Sequence, residues 1–111
     1  MEKLIRELYA RFNARDIDAV LEHLAPDVDW PNAWEGGRVR GHAEVRAYWT
    51  RQWQAIDGTV EPSAIEIDGD RAVVTVDQIV RDLDGNLLSE DVVTHVYEFR
   101  DGLITRMDVE E

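Results

Sequence analysis

The stretch 87-LLSEDVVTHVYEFRDGLITRMDV-109 decides the fold of this chain. It contains two runs rich in β-branched and aromatic residues, separated by Asp101-Gly102, a dipeptide that favours a tight hairpin turn. The stretch therefore predicts two antiparallel strands, near residues 87–100 and 103–109.

Two further hairpin signals, Asp68-Gly69 and Asp84-Gly85, lie upstream. They predict strands near residues 59–67 and 71–82, so that the second half of the chain is a meander of four antiparallel strands. Polar residues are set among the apolar ones of these strands, which is where a buried polar site can lie.

The first half predicts three helices. Asp16 has the character of an N-cap for a short second helix, whose apolar stripe continues to Leu24 and is stopped by Pro26. The third helix carries a stripe from Val45 to Ile56 and ends at Asp57-Gly58. The first helix is predicted from apolar residues at helical spacing, namely Leu4, Ile5, Leu8, Tyr9 and Phe12.

Residues 27–34 predict a short strand and an irregular loop, and residues 38–40 another short strand. Helices in the first half followed by a strand meander in the second are typical of an α+β domain. A chain of 111 residues has room for one core, so residues 1–111 are expected to form a single domain.

The composition excludes several kinds of function. A net charge of −12 disfavours nucleic acid and anionic membrane surfaces, because both are bound by clusters of Lys and Arg. The chain has no cysteine, and its three histidines are scattered, so neither a metal nor another cofactor is predicted. Without an apolar leader or a membrane-length apolar run, the protein is expected to be cytoplasmic.

Four motifs resemble the nuclear transport factor 2-like superfamily, in its SnoaL-like branch. They lie in the order and spacing of that family and cover nearly the whole chain. The motifs are Asn13 to Asp16, Leu24 to Trp30, Arg40-Gly41-His42 and, as the strongest, His95 to Ile104.

The resemblance implies a conical α+β barrel, in which three N-terminal helices pack on a curved antiparallel sheet. It also implies a homodimer formed through the outer face of that sheet. The outer face is then expected to carry the apolar series Ala72, Val74, Val76, Val80, Val92, Val96 and Ile104. Members of the superfamily include isomerases, cyclases, hydrolases and non-catalytic binding modules, so the fold does not settle the function.

The catalytic residues of the relatives are not retained. In the alignment that the resemblance implies, the tyrosine and the two aspartates of ketosteroid isomerase fall at Leu8, near Asn32 and at His95. The acid/base aspartate of the SnoaL-like cyclases falls near Val109. Asp108 lies one residue away, on the opposite face of a strand.

The same alignment places a candidate catalytic pair in the pocket. If Asp84-Gly85-Asn86 is a three-residue loop, Asp77 lies opposite Val93 and diagonal to His95, at roughly 7–8 Å between Cα atoms. A carboxylate that orients an imidazole is a common general base, so Asp77 and His95 are the candidate catalytic residues. The alternative is a buried polar pair that only satisfies itself.

The pocket is expected to be mostly apolar, with tryptophans in its walls. Trp30 and Trp34 are predicted at its mouth or lid, whereas Trp49 and Trp53 share the buried face of the third helix. The candidate ligand-binding residues are Trp30, Asn32, Trp34, Trp49, Trp53, Thr75, Asp91, Tyr97, Met107 and Val109.

Three functions remain open from the sequence. The first is binding of a small, largely apolar molecule, with general acid/base chemistry of the isomerase, cyclase or hydrolase kind. The second is a ligand-binding module without turnover. The third is a dimeric interaction protein whose cone is filled by its own tryptophans.

Overall fold

The computed structural model describes residues 1–110 and shows an α+β fold, as the sequence predicts. Three helices pack on one face of a curved, open six-stranded sheet. The helices are α1 (Glu2–Asn13), α2 (Ile17–Leu21) and α3 (Gly41–Trp53). The strands are β1 (Leu24–Pro31), β2 (Arg38–Arg40), β3 (Asp57–Asp68), β4 (Arg71–Arg81), β5 (Leu87–Arg100) and β6 (Leu103–Glu110).

The strand order is β2-β1-β6-β5-β4-β3. Strands β3 to β6 form the predicted antiparallel meander, and β1 joins it by pairing parallel with β6. The turn between β5 and β6 has positive φ at both Asp101 (55°) and Gly102 (81°). This backbone matches the right-handed twist of the flanking strands, which is why Asp-Gly was a reliable hairpin signal.

The motif Asn13 to Asp16 connects α1 to the rest of the fold. The Asn13 side chain donates to the carbonyl of Val60 (2.7 Å) and accepts from its amide (3.0 Å), which fixes the end of α1 to β3. Arg15 has a positive φ of 63°, so the chain reverses there. Asp16 then caps α2 as predicted, since its carboxylate accepts from the amide of Ala19 at 3.2 Å.

The motif Arg40-Gly41-His42 starts α3 against β1. Gly41 has a φ of +82°, and a Cβ at this position would lie 3.4 Å from the carbonyl oxygen of Pro26. His42 bonds through Nε2 to the carbonyl of Leu24 at 2.9 Å. The positive φ favours glycine at position 41, and the bond to Leu24 favours a hydrogen-bonding side chain at position 42.

Two helix ends differ from the prediction. Helix α2 ends at Leu21, and Leu24 and Pro26 belong to β1, where the strand pairs irregularly with β6. Helix α3 ends at Trp53, and Asp57-Gly58 begins β3 instead of capping the helix. In both cases the pairing of an adjoining strand overrides the local helical pattern.

The register between β4 and β5 is also different from the prediction. Asp77 lies opposite Val92, one residue away from the expected Val93, and the pairing shifts between Val80 and Arg81. Residues 82–86 connect the two strands, because β4 ends at Arg81 and β5 begins at Leu87, and the amide of Asp82 donates to the carbonyl of Asn86 (2.9 Å) inside this turn. A slip of one residue reverses the face of every side chain on β4.

The faces of β4 are therefore exchanged relative to the prediction. Ala72, Val74 and Val76 are fully buried under the helices, although the sequence placed them on the outer face. Val80 also faces inward, and Ile104 is part of the core. Of the expected outer series, Val92 and Val96 do lie on the outer face.

Candidate functional site

A cavity of about 330 Å³ opens between the helices and the inner face of the sheet. Its walls are mostly apolar and aromatic, with Trp30 and Trp49 in an edge-to-face contact at 5.5 Å between ring centroids. Phe12 and Trp53 extend the wall towards the mouth. The size and character match a site for a small organic molecule.

Three polar side chains form a hydrogen-bonded chain in the cavity wall. The hydroxyl oxygens of Tyr97 and Tyr9 lie 2.8 Å apart, and the Tyr9 oxygen lies 2.7 Å from Nδ1 of His95. We call this set the Tyr97–Tyr9–His95 chain. Its three members are at most 6% exposed, and all three line the cavity.

The local fold brings these residues together. Tyr9 lies on the buried face of α1, one residue after Leu8. His95 and Tyr97 alternate with outward residues on β5, opposite Val74 and Ala72 on the inner face of β4. The small side chain of Ala72 leaves room beside the two tyrosine rings, which meet nearly edge to face at 87°.

Burial determines the protonation state of each member of the Tyr97–Tyr9–His95 chain. Desolvation lowers the pKa of His95 to about 4, so the ring is neutral at pH 7. Desolvation also raises the pKa of Tyr9 and of Tyr97 above the ordinary value, which keeps both phenols protonated. Among the described residues, no Asp, Glu, Lys or Arg lines the cavity.

Asp77 does not belong to this site, so the predicted Asp77–His95 pair is wrong. Asp77 is exposed on the outer face of the sheet, as the register with Val92 requires. Thr75, which was predicted to bind the ligand, lies on the same outer face. Burial alone is the cause of the shifted pKa of His95, with no carboxylate contributing.

Most of the predicted ligand-binding residues line the cavity. Asn32, Thr75 and Asp91 do not. Asn32 is buried in the loop after β1, and Asp91 is exposed near the end of β5 that adjoins the β4–β5 turn. The residues of that set that do line it are Trp30, Trp34, Trp49, Trp53, Tyr97, Met107 and Val109.

Tyr9 is the site residue that the sequence reasoning missed. The alignment gave the isomerase tyrosine the position of Leu8, and Tyr9 was assigned only to the apolar stripe of α1. The available signal was a phenol on a buried helix face, since buried tyrosine hydroxyls usually have a hydrogen-bond partner. The expectation that Asp108 turns away from the pocket is confirmed, because its carboxylate pairs with Arg106 at 2.8 Å.

The loop after β1 forms one side of the cavity mouth. Asn32 accepts from the amide of Glu35 (2.8 Å), and Arg51 of α3 holds the Glu35 carboxylate through two nitrogens at 2.8 and 3.0 Å. This ion pair lowers the pKa of Glu35 to about 2. The bonds hold Trp34, which is 41% exposed, at the mouth.

Arg15 forms another part of the rim. Its guanidinium lies over the ring of Trp53 at 4.8 Å and pairs with Asp57. The contact holds the indole against Phe12. Residues 1–110 bring no three His, Cys, Asp or Glu side chains together as a metal site would.

Comparisons with known proteins agree with this architecture. The sequence profile of the SnoaL-like domain matches residues 5–107. An NTF2-like protein of unknown function from Burkholderia pseudomallei is 28% identical, with a TM-score of 0.87, over 98% of this chain and 88% of that one. No curated protein sequence matches the chain.

Two other solved structures are similar. TerC, co-crystallised with polyporic acid, is 29% identical with a TM-score of 0.85, over 96% of this chain and 87% of that one. A putative polyketide cyclase from Sinorhizobium meliloti is 25% identical with a TM-score of 0.83, over 97% of this chain and 94% of that one.

Proposed function

This chain belongs to the SnoaL-like domain family, and we propose that it binds a small, largely apolar molecule in the cavity, with one polar group of the ligand at His95. The observation that carries the proposal is an open, aromatic cavity with a buried, hydrogen-bonded cluster of polar side chains in its wall. The co-crystallisation of the related TerC with polyporic acid supports a ligand in this kind of fold. The open cavity disfavours a cone filled by its own tryptophans.

Binding of the neutral dye Nile red, followed by its fluorescence, tests this function. Ser89 lies half-buried in the cavity wall, so Ser89→Trp is expected to obstruct the cavity and weaken binding by at least about tenfold. Ser63→Trp makes the same change at an exposed position outside the cavity and serves as the control. Equal binding by both variants would contradict a ligand site in the cavity.

General acid/base catalysis is the second candidate. It is favoured by the Tyr97–Tyr9–His95 chain, since hydrogen-bond donors in a dry, apolar site stabilise negative charge that develops in a transition state. Among residues 1–110 the cavity wall offers no carboxylate base, so water would accept the abstracted proton while His95 and the phenols donate hydrogen bonds. Proton NMR in D₂O would detect exchange of the methyl protons of 2-acetylnaphthalene, and exchange lost in His95→Phe would support an enzyme.

A homodimer through the outer face of the sheet is the proposed assembly. Helices cover only the inner face, and the outer face carries the half-buried Val73 and Ile79 along with Val92, which is 65% exposed. Exposed apolar residues grouped on a sheet face favour an interface.

We also propose that the protein is cytoplasmic and that it has no nucleic-acid partner. Within residues 1–110, no helix has the length and apolar character needed to cross a bilayer.

A further inference from the structure

The hydrogen bonds of the Tyr97–Tyr9–His95 chain run from donor to acceptor in one of two directions. Two hydrogen bonds join three side chains, and the hydroxyl of Tyr9 takes part in both while owning one proton. Either the protons point from Tyr97 towards His95, or they point the other way. The two directions place the imidazole proton on different ring nitrogens.

Burial of Tyr97 decides between the two directions. If His95 donated from Nδ1 to Tyr9, Tyr9 would have to donate to Tyr97, whose own proton would then need another acceptor. Tyr97 is 1% exposed, and its hydroxyl has no second partner among residues 1–110. A buried donor without an acceptor is costly, so Tyr97 donates to Tyr9 and Tyr9 donates to Nδ1 of His95.

The other nitrogen of His95 opens onto the cavity. Its Nε2 has no hydrogen-bond partner among residues 1–110, and no fully buried side-chain nitrogen or oxygen in that part of the chain lacks one. Nε2 is therefore accessible, and the ring that carries it lines the cavity. With Nδ1 as acceptor, the neutral ring carries its proton on Nε2.

The cavity wall also restricts the charge of the ligand. It contains no charged side chain among the described residues, and the guanidinium of Arg15 at its rim already pairs with Asp57. A carboxylate entering this space would lose water without gaining a counter-charge, which is unfavourable.

Building on the proposed binding function, we infer that the Tyr97–Tyr9–His95 chain holds His95 as the Nε2-protonated tautomer, so that the cavity selects an uncharged ligand with a hydrogen-bond acceptor, such as a ketone carbonyl. Tyr97 acts as a positioning residue, since it has no need to touch the ligand to set the direction of the chain. Tyr9 transmits that direction to His95.

The tautomer is measured without any ligand, from ¹⁵N shifts of the His95 ring. We expect Nδ1 to have the shift of an unprotonated nitrogen and Nε2 that of a protonated one. Tyr97→Phe removes the terminal donor, so it is expected to mix the two tautomers, whereas Tyr48→Phe, a cavity phenol outside the chain, leaves the ¹⁵N pattern unchanged. A dominant Nδ1-protonated form in the parent would overturn the inference and leave the binding function standing.

Ligand class is measured with three matched probes: 2-acetylnaphthalene, 2-ethylnaphthalene and 2-naphthoate. The ketone is expected to bind about five- to tenfold more tightly than the hydrocarbon, the value of one hydrogen bond, and more tightly than the anion. Equal binding of ketone and hydrocarbon, or preferred binding of naphthoate, would overturn the inference. If none of the three bound, the binding function itself would be contradicted, while the ¹⁵N spectrum would still decide the tautomer.

Discussion

At the scale of single residues, the site contains three buried side chains that are hydrogen-bond partners of one another. Tyr9 is central, because it is the only partner of both Tyr97 and Nδ1 of His95 among the described residues. Buried polar groups are stable only when they are paired, so removal of the middle member affects the other two. The predictions at this scale concern the bonds and the proton of this chain.

Tyr9→Phe is expected to lower the free energy of unfolding by about 1–3 kcal/mol, because it leaves the hydroxyl of Tyr97 without its acceptor and Nδ1 of His95 without its donor. Urea denaturation measures the change. Tyr48→Phe is the control, since that hydroxyl accepts one long bond of 3.4 Å from the amide of Trp34. If Tyr9→Phe lost no more unfolding free energy than the control, the hydrogen bonds of the Tyr97–Tyr9–His95 chain would be contradicted.

His95 is expected to destabilise the fold as the pH falls. The pKa of His95 is about 4 in the folded protein and near 6.5 in the unfolded chain. Below pH 6.5 the unfolded state therefore binds a proton that the folded state does not bind. Stability from the neutral ring is complete above about pH 6.5 and decreases until about pH 4. The groups facing the ring, Tyr9 and Tyr97, are protonated throughout this range.

The measurement is the free energy of unfolding at pH 7 and pH 4 for the parent and His95→Gln. Between pH 7 and pH 4 we expect the parent to lose on the order of 3 kcal/mol more unfolding free energy than His95→Gln. The carboxylates that both proteins share cancel in this comparison. His23→Gln, at a half-exposed position, is the control. Parallel pH curves for the parent and His95→Gln would show that the ring is not buried in its neutral form.

At the scale of elements, the register of β4 against β5 decides which residues meet in the cavity. The shift between Val80 and Arg81 sends Asp77 to the outer face and Val74 to the inner one. Asp82, whose carboxylate accepts from the amides of Asp84 and Asn86 at 2.9 Å, stabilises a longer turn than Asp-Gly alone suggests.

Asp77→Asn is therefore expected to leave the titration midpoint of His95 unchanged, because the two side chains lie on opposite faces of the sheet. Histidine signals followed by NMR over the acid range provide the midpoint. A clear downward shift in Asp77→Asn would restore the three-residue turn and the pairing of Asp77 with Val93.

Helix α3 supplies a second prediction at this scale. The predicted stripe of α3 is the buried face of the helix, but Trp49 is 1% exposed whereas Trp53 lines the cavity and is only half-buried. Trp49→Ala is expected to cost about 3–5 kcal/mol of unfolding free energy, and Trp53→Ala clearly less. Thermal or urea unfolding that ranks the two variants in the opposite order would show that the helix is rotated.

Particular residues show what the sequence could and could not predict. Asp101-Gly102 fixed the β5–β6 hairpin, because its turn needs positive φ at both positions and Asp and Gly tolerate it. The β4–β5 register was not predictable, since the pairing shift beside Val80 leaves no local pattern. Tyr9 was missed because a phenol in an apolar stripe is not distinguished from core until its partners are known.

At the scale of the whole molecule, one face of the sheet is covered by helices and the other is open. The open face combines apolar residues around Val92 with a charged group in which Arg38 and Arg106 both pair with Asp29 and Asp108. These pairs lower the pKa of Asp108, chiefly through its bond with Arg106.

If the proposed homodimer forms through this face, Val92→Asp is expected to shift the protein towards monomer, because it places a buried charge in the interface of each copy. Sedimentation velocity at micromolar concentration measures the change. Lys3→Gln, on the exposed start of α1, is the control, since it makes the net charge more negative by the same amount. A parent that is monomeric under the same conditions would contradict the dimer.

The most direct test of the account is a crystal structure of the protein with 2-acetylnaphthalene. We expect the aromatic rings of the ligand against Trp30 and Trp49 and its carbonyl oxygen within about 2.7–3.2 Å of Nε2 of His95. A ligand bound in the cavity with its carbonyl turned away from His95, or bound only outside the cavity, would contradict the central claim.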